Sequence, residues 1–247
     1  MDKRKLNWVT MAFVVLTVLV VGVMLSHTLR RSNHIVLPDV LPPGSEQQGQ
    51  QPEGSALSVV EITPDTVQAA VATLARPEHY RRTVTVDQLW QGGSGSVTTD
   101  VAVLDGWTRM DRVLPDGQSR HTITDGEITF LWYNEGKDLL ELPAGEFSAD
   151  LEQSIPTYED VLSLPVEDIV TSDFRDLSGV PCIYVETAED QEGYALRYWV
   201  SVDSGLLVSA EKLLDGETIY RMGALELDSS EPPIETFRLP NDRWLVS

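Results

Sequence analysis

The chain has 247 residues with 39 acidic against 18 basic side chains, a formal net charge of −21. A surface this acidic repels nucleic-acid phosphates, and we therefore exclude nucleic-acid binding. The acidity is typical of a soluble secreted domain, with weak binding of divalent cations as the alternative. The single Cys182 allows no internal disulfide. His79 and His121 lie far apart in sequence, without cysteine or carboxylate at ligand spacing, so no metal site is predicted.

The stretch at 6–25 contains no charged side chain and follows the mainly basic run DKRK at 2–5. A helix of this length spans roughly 30 Å, the thickness of the hydrocarbon layer. The exit at 24–31 has neither a small-residue cleavage pattern nor a lipobox cysteine. We therefore predict an uncleaved single-pass transmembrane anchor, with a cleaved signal peptide or a buried core helix as alternatives. The basic start places residues 1–5 in the cytoplasm and the C-terminal domain outside the cell membrane, although two arginines beyond the span weaken this bias.

Residues 26–62 are predicted to form a disordered extracytoplasmic linker. Four prolines, three glycines and the tract GSEQQGQQPEGS lie between positions 32 and 60. Such a composition cannot bury enough apolar surface to order itself. A flexible chain of this length spans on the order of 30 Å, so the domain that follows can work away from the bilayer.

An ordered domain is predicted over residues 63–247, beginning with a short amphipathic helix. Thr63 is the expected N-cap, a proline follows at the first helical position, and apolar residues recur at helical spacing up to Leu74. Strands are predicted at 80–90 and 97–104, with the intervening GGSGS as a hairpin turn. A phosphate-binding loop is rejected because a strand, and not a helix, follows these glycines.

Residues 107–143 contain four short runs rich in β-branched and aromatic residues, closed by Asp-Gly, Asn-Glu-Gly or Pro signals. Because Gly accepts the positive φ of a tight turn, these runs predict an antiparallel meander. Within the run ITFLWY at 128–133, both sets of alternating side chains are too apolar to face water. Both faces of this part of the sheet therefore need a cover.

The pattern changes at 144–165, where two short helical fragments are interrupted by prolines. Thr157 and Asp160 have the spacing of an N-terminal capping box. Further along, Phe237 and Trp244 are placed to pack back on the sheet edge. Five more strands are predicted between these segments, at 169–177, 180–187, 194–202, 206–214 and 218–227.

The short links between these strands make sequential strands antiparallel neighbours. The predicted fold class is therefore α+β. It consists of an N-terminal transmembrane helix and one antiparallel sheet of about eleven strands. A sheet this wide twists and curls, and the short helices are the candidates to cover its concave face.

Three motifs carry a resemblance to a known superfamily. They are Asp125-Gly126 followed by Trp132-Tyr133, Tyr198-Trp199-Val200 before Asp203-Ser204-Gly205-Leu206, and the closing Phe237-Arg238-Leu239-Pro240. Over most of residues 64–240 the chain is similar to the lipoprotein-carrier (LolA-like) superfamily and its RseB-type relatives, which regulate envelope-stress sigma factors. This resemblance implies an open half-barrel with helices in its concavity, and an apolar cleft for an acyl chain or a lipidated peptide. The anchor and linker depart from the soluble carriers and imply a tethered protein of the bacterial cell envelope.

Aromatic and apolar side chains of the central strands are the predicted lining of this cleft, with ordinary core packing as the alternative for each. The predicted ligand is a lipid or a lipoprotein acyl chain, because each buried methylene stabilises binding by about 0.8 kcal/mol. No cofactor is predicted. The candidate ligand-binding residues are Trp107, Met110, Phe130, Trp132, Tyr198 and Trp199.

A second hypothesis makes the domain a regulatory module that docks another envelope protein, of an envelope-stress or sporulation and germination type. Its acidic convex surface or a sheet edge would form the contact, and the linker would raise the effective concentration at a membrane-bound partner. An enzyme is not predicted, and no catalytic residue is assigned. The acid pairs Glu159-Asp160 and Glu189-Asp190 are adjacent and solvated, and no nucleophile elbow is present.

Overall fold

The computed structural model describes residues 34–36, 59–143 and 155–246. The description below concerns the compact unit Ile35–Ser247. The predicted anchor at 6–25 lies outside the described residues. Within the described ranges, no helix is long and apolar enough to cross a membrane.

Two short strands lie within the stretch predicted as a linker. β1 (His34–Val36) and β2 (Val59–Glu61) form a two-stranded sheet. Ile62, at the predicted end of the linker, is only 2% exposed and belongs to the core. The packed part of the chain therefore includes the last residue assigned to the linker.

The first helix, α1 (Val67–Thr73), begins three residues later than the sequence predicts. The backbone N–H of Thr63 donates to Thr66 Oγ1 at 3.0 Å, and Thr66 Oγ1 donates to the Glu61 carbonyl at 2.6 Å. The expected first turn is a hydrogen-bonded turn, in which the backbone N–H groups of Thr66 and Val67 donate to the Thr63 carbonyl at 3.0 and 2.9 Å. The apolar stripe is as predicted, since Val67, Ala70 and Val71 are buried.

The core of the domain is a single antiparallel sheet of 11 strands, in the order β8-β7-β6-β5-β4-β3-β13-β12-β11-β10-β9. The edge strands β8 and β9 are not paired with each other, so the sheet is open. Both its strand number and its antiparallel pairing confirm the prediction. The strands are β3 (Tyr80–Trp90), β4 (Gly93–Leu104), β5 (Trp107–Val113), β6 (Ser119–Thr124), β7 (Ile128–Tyr133), β8 (Leu140–Pro143), β9 (Ile169–Leu177), β10 (Val180–Thr187), β11 (Tyr194–Ser201), β12 (Leu207–Leu214) and β13 (Glu217–Gly223).

Three two-residue turns explain why the strand boundaries could be predicted. Both residues have positive φ in each turn, as a type I′ hairpin requires. The pairs are Asp105-Gly106 (49° and 80°), Ser178-Gly179 (54° and 89°) and Asp215-Gly216 (51° and 80°). The GGSGS segment differs from its prediction, because β4 already starts at Gly93. Only Gln91 and Gly92 separate β3 from β4.

Two helices cover one face of the sheet, which we call the helix face. α1 packs there beside α2 (Tyr158–Ser163), whose Val161 is fully buried. The Thr157 N–H donates to Asp160 Oδ2 at 2.6 Å, in agreement with the predicted capping box. Gln68 of α1 directs its Nε2 at three carbonyl oxygens near the end of α2, at 2.8 to 3.2 Å. The two helices thus form one cover.

The C-terminal segment covers the opposite face of β4 to β7, which we call the outer face. Phe237 lies in a 3-10 turn, Ile234–Phe237, and is fully buried with Leu239 and Val246 against this part of the sheet. The prediction placed Phe237 and Trp244 on the sheet edge. Instead Phe237 packs on the face, because the outer side chains of these strands are apolar, and Trp244 remains 46% exposed.

Candidate functional site

The six predicted ligand-binding residues do not line one cleft. Met110 pairs with Val101 on the helix face, and Tyr198 is buried in the same cluster. Three others, Trp107, Phe130 and Trp132, belong to the outer-face cluster under the C-terminal segment. Trp199 pairs with Tyr184 and Ser209 on the outer face of β10 to β12. Strand geometry therefore places the six residues in three groups on the two faces of the sheet.

The reason is the two-residue period of a strand. Neighbours such as Tyr198 and Trp199 point to opposite faces, and so do Trp107 and Met110, three positions apart. Because the central strands are apolar on both faces, the sequence predicts that both faces of the sheet are covered. It does not predict which side chains contact each other. A ligand-binding role for each of the six stays a prediction.

A cavity of about 410 Å³ lies on the helix face near the β3–β4 turn. Its volume is within the range of ligand sites, roughly 300 to 1,000 Å³. The cross-strand pairs Val86↔Val97 and Gln88↔Gly95 place β3 and β4 side chains along it, and Tyr220 opposite Gln88 brings in β13. Its lining combines apolar and polar side chains: Val86, Gln88, Trp90, Gly95, Ser96, Val97, Arg112, Val113, Leu114, Pro115 and Tyr220.

Tyr220 and Arg112 belong to the lining of this cavity. Tyr220 Oη is buried and has no hydrogen-bond partner among the described residues. Burial raises the pKa of Tyr220 to about 12, while the charge of Arg112 opposes and that of Asp160 adds to this rise. Arg112 is 9% exposed and its Nε donates to Thr99 Oγ1 at 2.9 Å. The volume and the apolar part of the lining can accept an apolar chain.

Trp90 marks one end of the cavity and was not among the predicted site residues. Its side chain is 57% exposed, yet the indole lies over Gly93 and Gly95. A second cavity of about 790 Å³ touches the same tryptophan and is also lined by Leu89, Leu214 and Ile219. The glycines of GGSGS are the sequence signal for the position of Trp90, but the same pattern also predicts a turn.

The acidic side chains considered for catalysis have structural roles. Asp160 accepts the N–H of Thr157 at the start of α2. Asp190 Oδ1 accepts the backbone N–H groups of Glu192 and Tyr194, both at 2.9 Å. Across the described ranges, no group of three histidine, cysteine or carboxylate residues could hold a metal ion.

Comparisons with known proteins found solved structures that are similar to this chain. No family model matches the chain, and no curated protein matches it. MucB in complex with MucA(peri) is 16% identical with a TM-score of 0.38, covering 74% of this chain and 60% of MucB. A LolA superfamily protein from Nitrosomonas europaea is 8% identical with a TM-score of 0.35, covering 71% and 97%. The Mycobacterium tuberculosis lipoprotein LppX is 11% identical with a TM-score of 0.38, covering 68% and 94%.

These structures include a member of the superfamily that the sequence resembles. The open antiparallel sheet with helices on one face agrees with the half-barrel that this resemblance implies. The chain spans 60% of the length of the MucB structure. Because all three TM-scores lie below 0.5, no ligand or partner is transferred from these proteins, and the site is interpreted from its own residues.

Proposed function

We propose that this chain is a membrane-anchored extracytoplasmic protein of the bacterial cell envelope that holds a lipid acyl chain in the helix-face cavity. The observation that carries the proposal is a cavity of about 410 Å³ that combines apolar walls with Tyr220. The apolar part of the lining includes Val86, Val97 and Leu114. An acyl chain placed there would remove its own methylene groups and these side chains from water.

Partial enclosure of the chain fits a carrier or sensor. Burial of one methylene contributes about 0.8 kcal/mol, so a fully enclosed chain of about sixteen carbons would gain roughly 12 kcal/mol before any cost. Such a ligand would hardly dissociate. The cavity is open beside Trp90, which is 57% exposed, so that part of a bound chain would stay accessible for release.

Photo-crosslinking tests this proposal. The full chain in liposomes is exposed to a photoreactive fatty acid, and the adducts are mapped by mass spectrometry. We expect adducts on β3, β4 and β13. Val97→Trp should abolish them, because Val97 lines the cavity. Thr98→Trp is the matched control, since Thr98 is the next residue of the same strand and faces the other side. Labelling that is absent, or equal in both variants, would refute the proposal.

The membrane location is tested separately. The proposal is supported by the uncharged stretch at 6–25. With a membrane-impermeant maleimide on intact cells, we expect Ser94→Cys to react and Asp2→Cys to stay unlabelled. The native Cys182 gives little background, because it is buried and burial raises its pKa to about 12. Labelling of Asp2→Cys would reverse the proposed orientation.

A groove on the outer face favours docking of another envelope protein as the second candidate. The groove has a volume of about 550 Å³ and surrounds Trp199, with Arg197, Arg221 and Leu225 in its lining. Aromatic and arginine side chains are the residues that most often dominate protein interfaces. A photoreactive amino acid at position 199 should crosslink to the same protein in repeated preparations, and one at position 98 should not. Equal crosslinking from both positions would count against this role.

A further inference from the structure

Trp90 has an unusual position for an exposed tryptophan. A Cβ atom added at Gly93 would lie 2.9 Å from Trp90 Nε1, and one at Gly95 would lie 3.4 Å from its ring carbons. Neither glycine has a positive φ, so the backbone itself does not require glycine here. The missing side chains make room for the indole. Gly93 is the first residue of β4 and Gly95 is its third. A glycine inside a strand weakens it, which indicates that the ring position over Gly95 matters.

Two cavities meet at this ring. Gln88, Trp90 and Tyr220 line both the helix-face cavity and the larger one, which we call the fork cavity. The fork exists because β3 and β13 pair only from Thr85↔Gly223 to Gln88↔Tyr220, while both strands continue towards the β3–β4 turn. The fork cavity has a mixed lining, in which Leu89, Leu214 and Ile219 are apolar and Gln91, Asp215 and Glu217 are polar or acidic.

We infer that Trp90 is a gate between the two cavities: its indole swings off Gly93 and Gly95 to admit an apolar chain too long for the helix-face cavity alone. This inference rests on the proposed acyl-chain binding. The ring can move because 57% of the side chain is exposed, and rotamer changes of exposed side chains are fast. In its present position the ring lines both cavities. Open, it joins them, so the ligand class is a long single acyl chain that occupies both.

The glycines provide a graded way to displace the ring. Gly93→Ala places a methyl group where the Trp90 ring lies, so the ring must leave. Gly95→Ala creates a milder contact, and Trp90→Ala removes the gate. Gly223→Ala is the matched control, because it adds the same methyl group to a strand with nothing within 4 Å. Trp244→Ala controls for the loss of an exposed tryptophan, since Trp244 is 46% exposed.

The experiment compares photoreactive fatty acids of eight and eighteen carbons on the full chain in liposomes. We expect Gly93→Ala and Trp90→Ala to raise the initial labelling rate of the long chain by about tenfold. Gly95→Ala should have a smaller effect and both controls none. Labelling by the short chain should not change. Long-chain adducts should map to both cavities, on β4 and on Ile219 of β13.

A merely structural role of Trp90 would change labelling by both chain lengths equally, together with the thermal midpoint. That outcome, or unchanged rates in all variants, would overturn the gate alone. No cavity labelling of the wild-type chain by either fatty acid would overturn the proposed function and the gate with it. Long-chain adducts confined to the helix-face cavity would also overturn the gate, because the fork cavity would then be unused.

Discussion

The two faces of the sheet are covered in different ways. On the outer face of β4 to β7, an extended segment places Phe237 and Leu239 directly on the strands, and both are at most 1% exposed. The helix face is covered by α1 and α2, of 7 and 6 residues. At about 1.5 Å per residue these helices are roughly 10 Å long, whereas an eleven-residue strand such as β3 extends roughly 36 Å. The helices are therefore too short to cover their face.

This difference indicates where binding can evolve. Phe237 and Leu239 fill the surface beneath them, so this part of the outer face of β4 to β7 contributes stability. A cavity of about 470 Å³ lies beside the segment, where Ala102 and Thr236 are part of its lining. The incomplete helical cover leaves the helix-face cavity at one end of the strands. Substitutions on the outer face should therefore affect folding, whereas those near the cavity should affect binding more than stability.

The largest effect is expected from Phe237→Ala. Phe237 is fully buried in the outer-face cluster, so its truncation removes apolar contacts and leaves a void. The free energy of unfolding should fall by about 3 to 5 kcal/mol, measured by urea denaturation. Trp244→Ala in the same segment should cost less than about 1 kcal/mol. Equal losses of unfolding free energy in the two variants would mean that contacts along the whole C-terminal segment, and not the Phe237 ring alone, hold it on the sheet.

Gln68→Ala tests the cover of the helix face. Gln68 Nε2 donates to carbonyl oxygens of Val161 and Leu164, which are near the end of α2. Its removal should lower the free energy of unfolding by about 1 to 2 kcal/mol and speed amide exchange in both helices. Gln68→Glu should be worse, because a carboxylate replaces the donor. Exchange that changes in α1 alone would show that the two helices are not coupled.

Two tyrosines allow a comparison between the two faces. The hydroxyl of one, on the outer face, has a hydrogen-bond partner, and the hydroxyl of the other, on the helix face, has none among the described residues. Tyr184 donates to Glu186 Oε2 at 2.7 Å, whereas Tyr220 Oη has no partner among the described residues. Tyr184→Phe should cost about 1 kcal/mol of unfolding free energy, and Tyr220→Phe should be neutral or slightly stabilising. A loss for Tyr220→Phe as large as that for Tyr184→Phe would show that its hydroxyl finds a partner in solution.

The smallest effect at neutral pH concerns alkaline stability. Burial raises the pKa of Tyr198 and Tyr220 from 10 to about 12. Above pH 10 the unfolded chain loses these protons first, so the stability present below pH 10 should decline as the pH rises to about 12. Tyr220→Phe should make this decline shallower in urea titrations at each pH. An unchanged slope would mean that Tyr220 titrates normally in the folded protein.

The sequence was sufficient to predict the sheet because its signals are local. Asp-Gly and Ser-Gly pairs marked the turns, and the runs between them matched the strands within a few residues. The capping box at Thr157 depends on a side chain three positions away and was predicted correctly. Local chemistry determines these elements.

The site depends on contacts that are distant in the chain and could not be predicted in this way. Tyr220 meets Gln88 across 132 positions, and no periodicity indicates that pairing. The strand period separates Tyr198 from Trp199 and distributes the six candidates over both faces of the sheet. For Gly93 and Gly95 the sequence predicts a turn, because a glycine that makes room for a ring has the same sequence signal as a glycine in a bend.

The strand order has a consequence for how the domain assembles. β3 to β8 and β9 to β13 are two meanders, each built from sequential neighbours, and they join in the middle through only four residue pairs of β3 and β13. Contacts between sequential strands close short loops and form early, whereas the central seam must wait until both meanders exist. We therefore expect each meander to form before the seam between them, and the fork cavity lies at that seam.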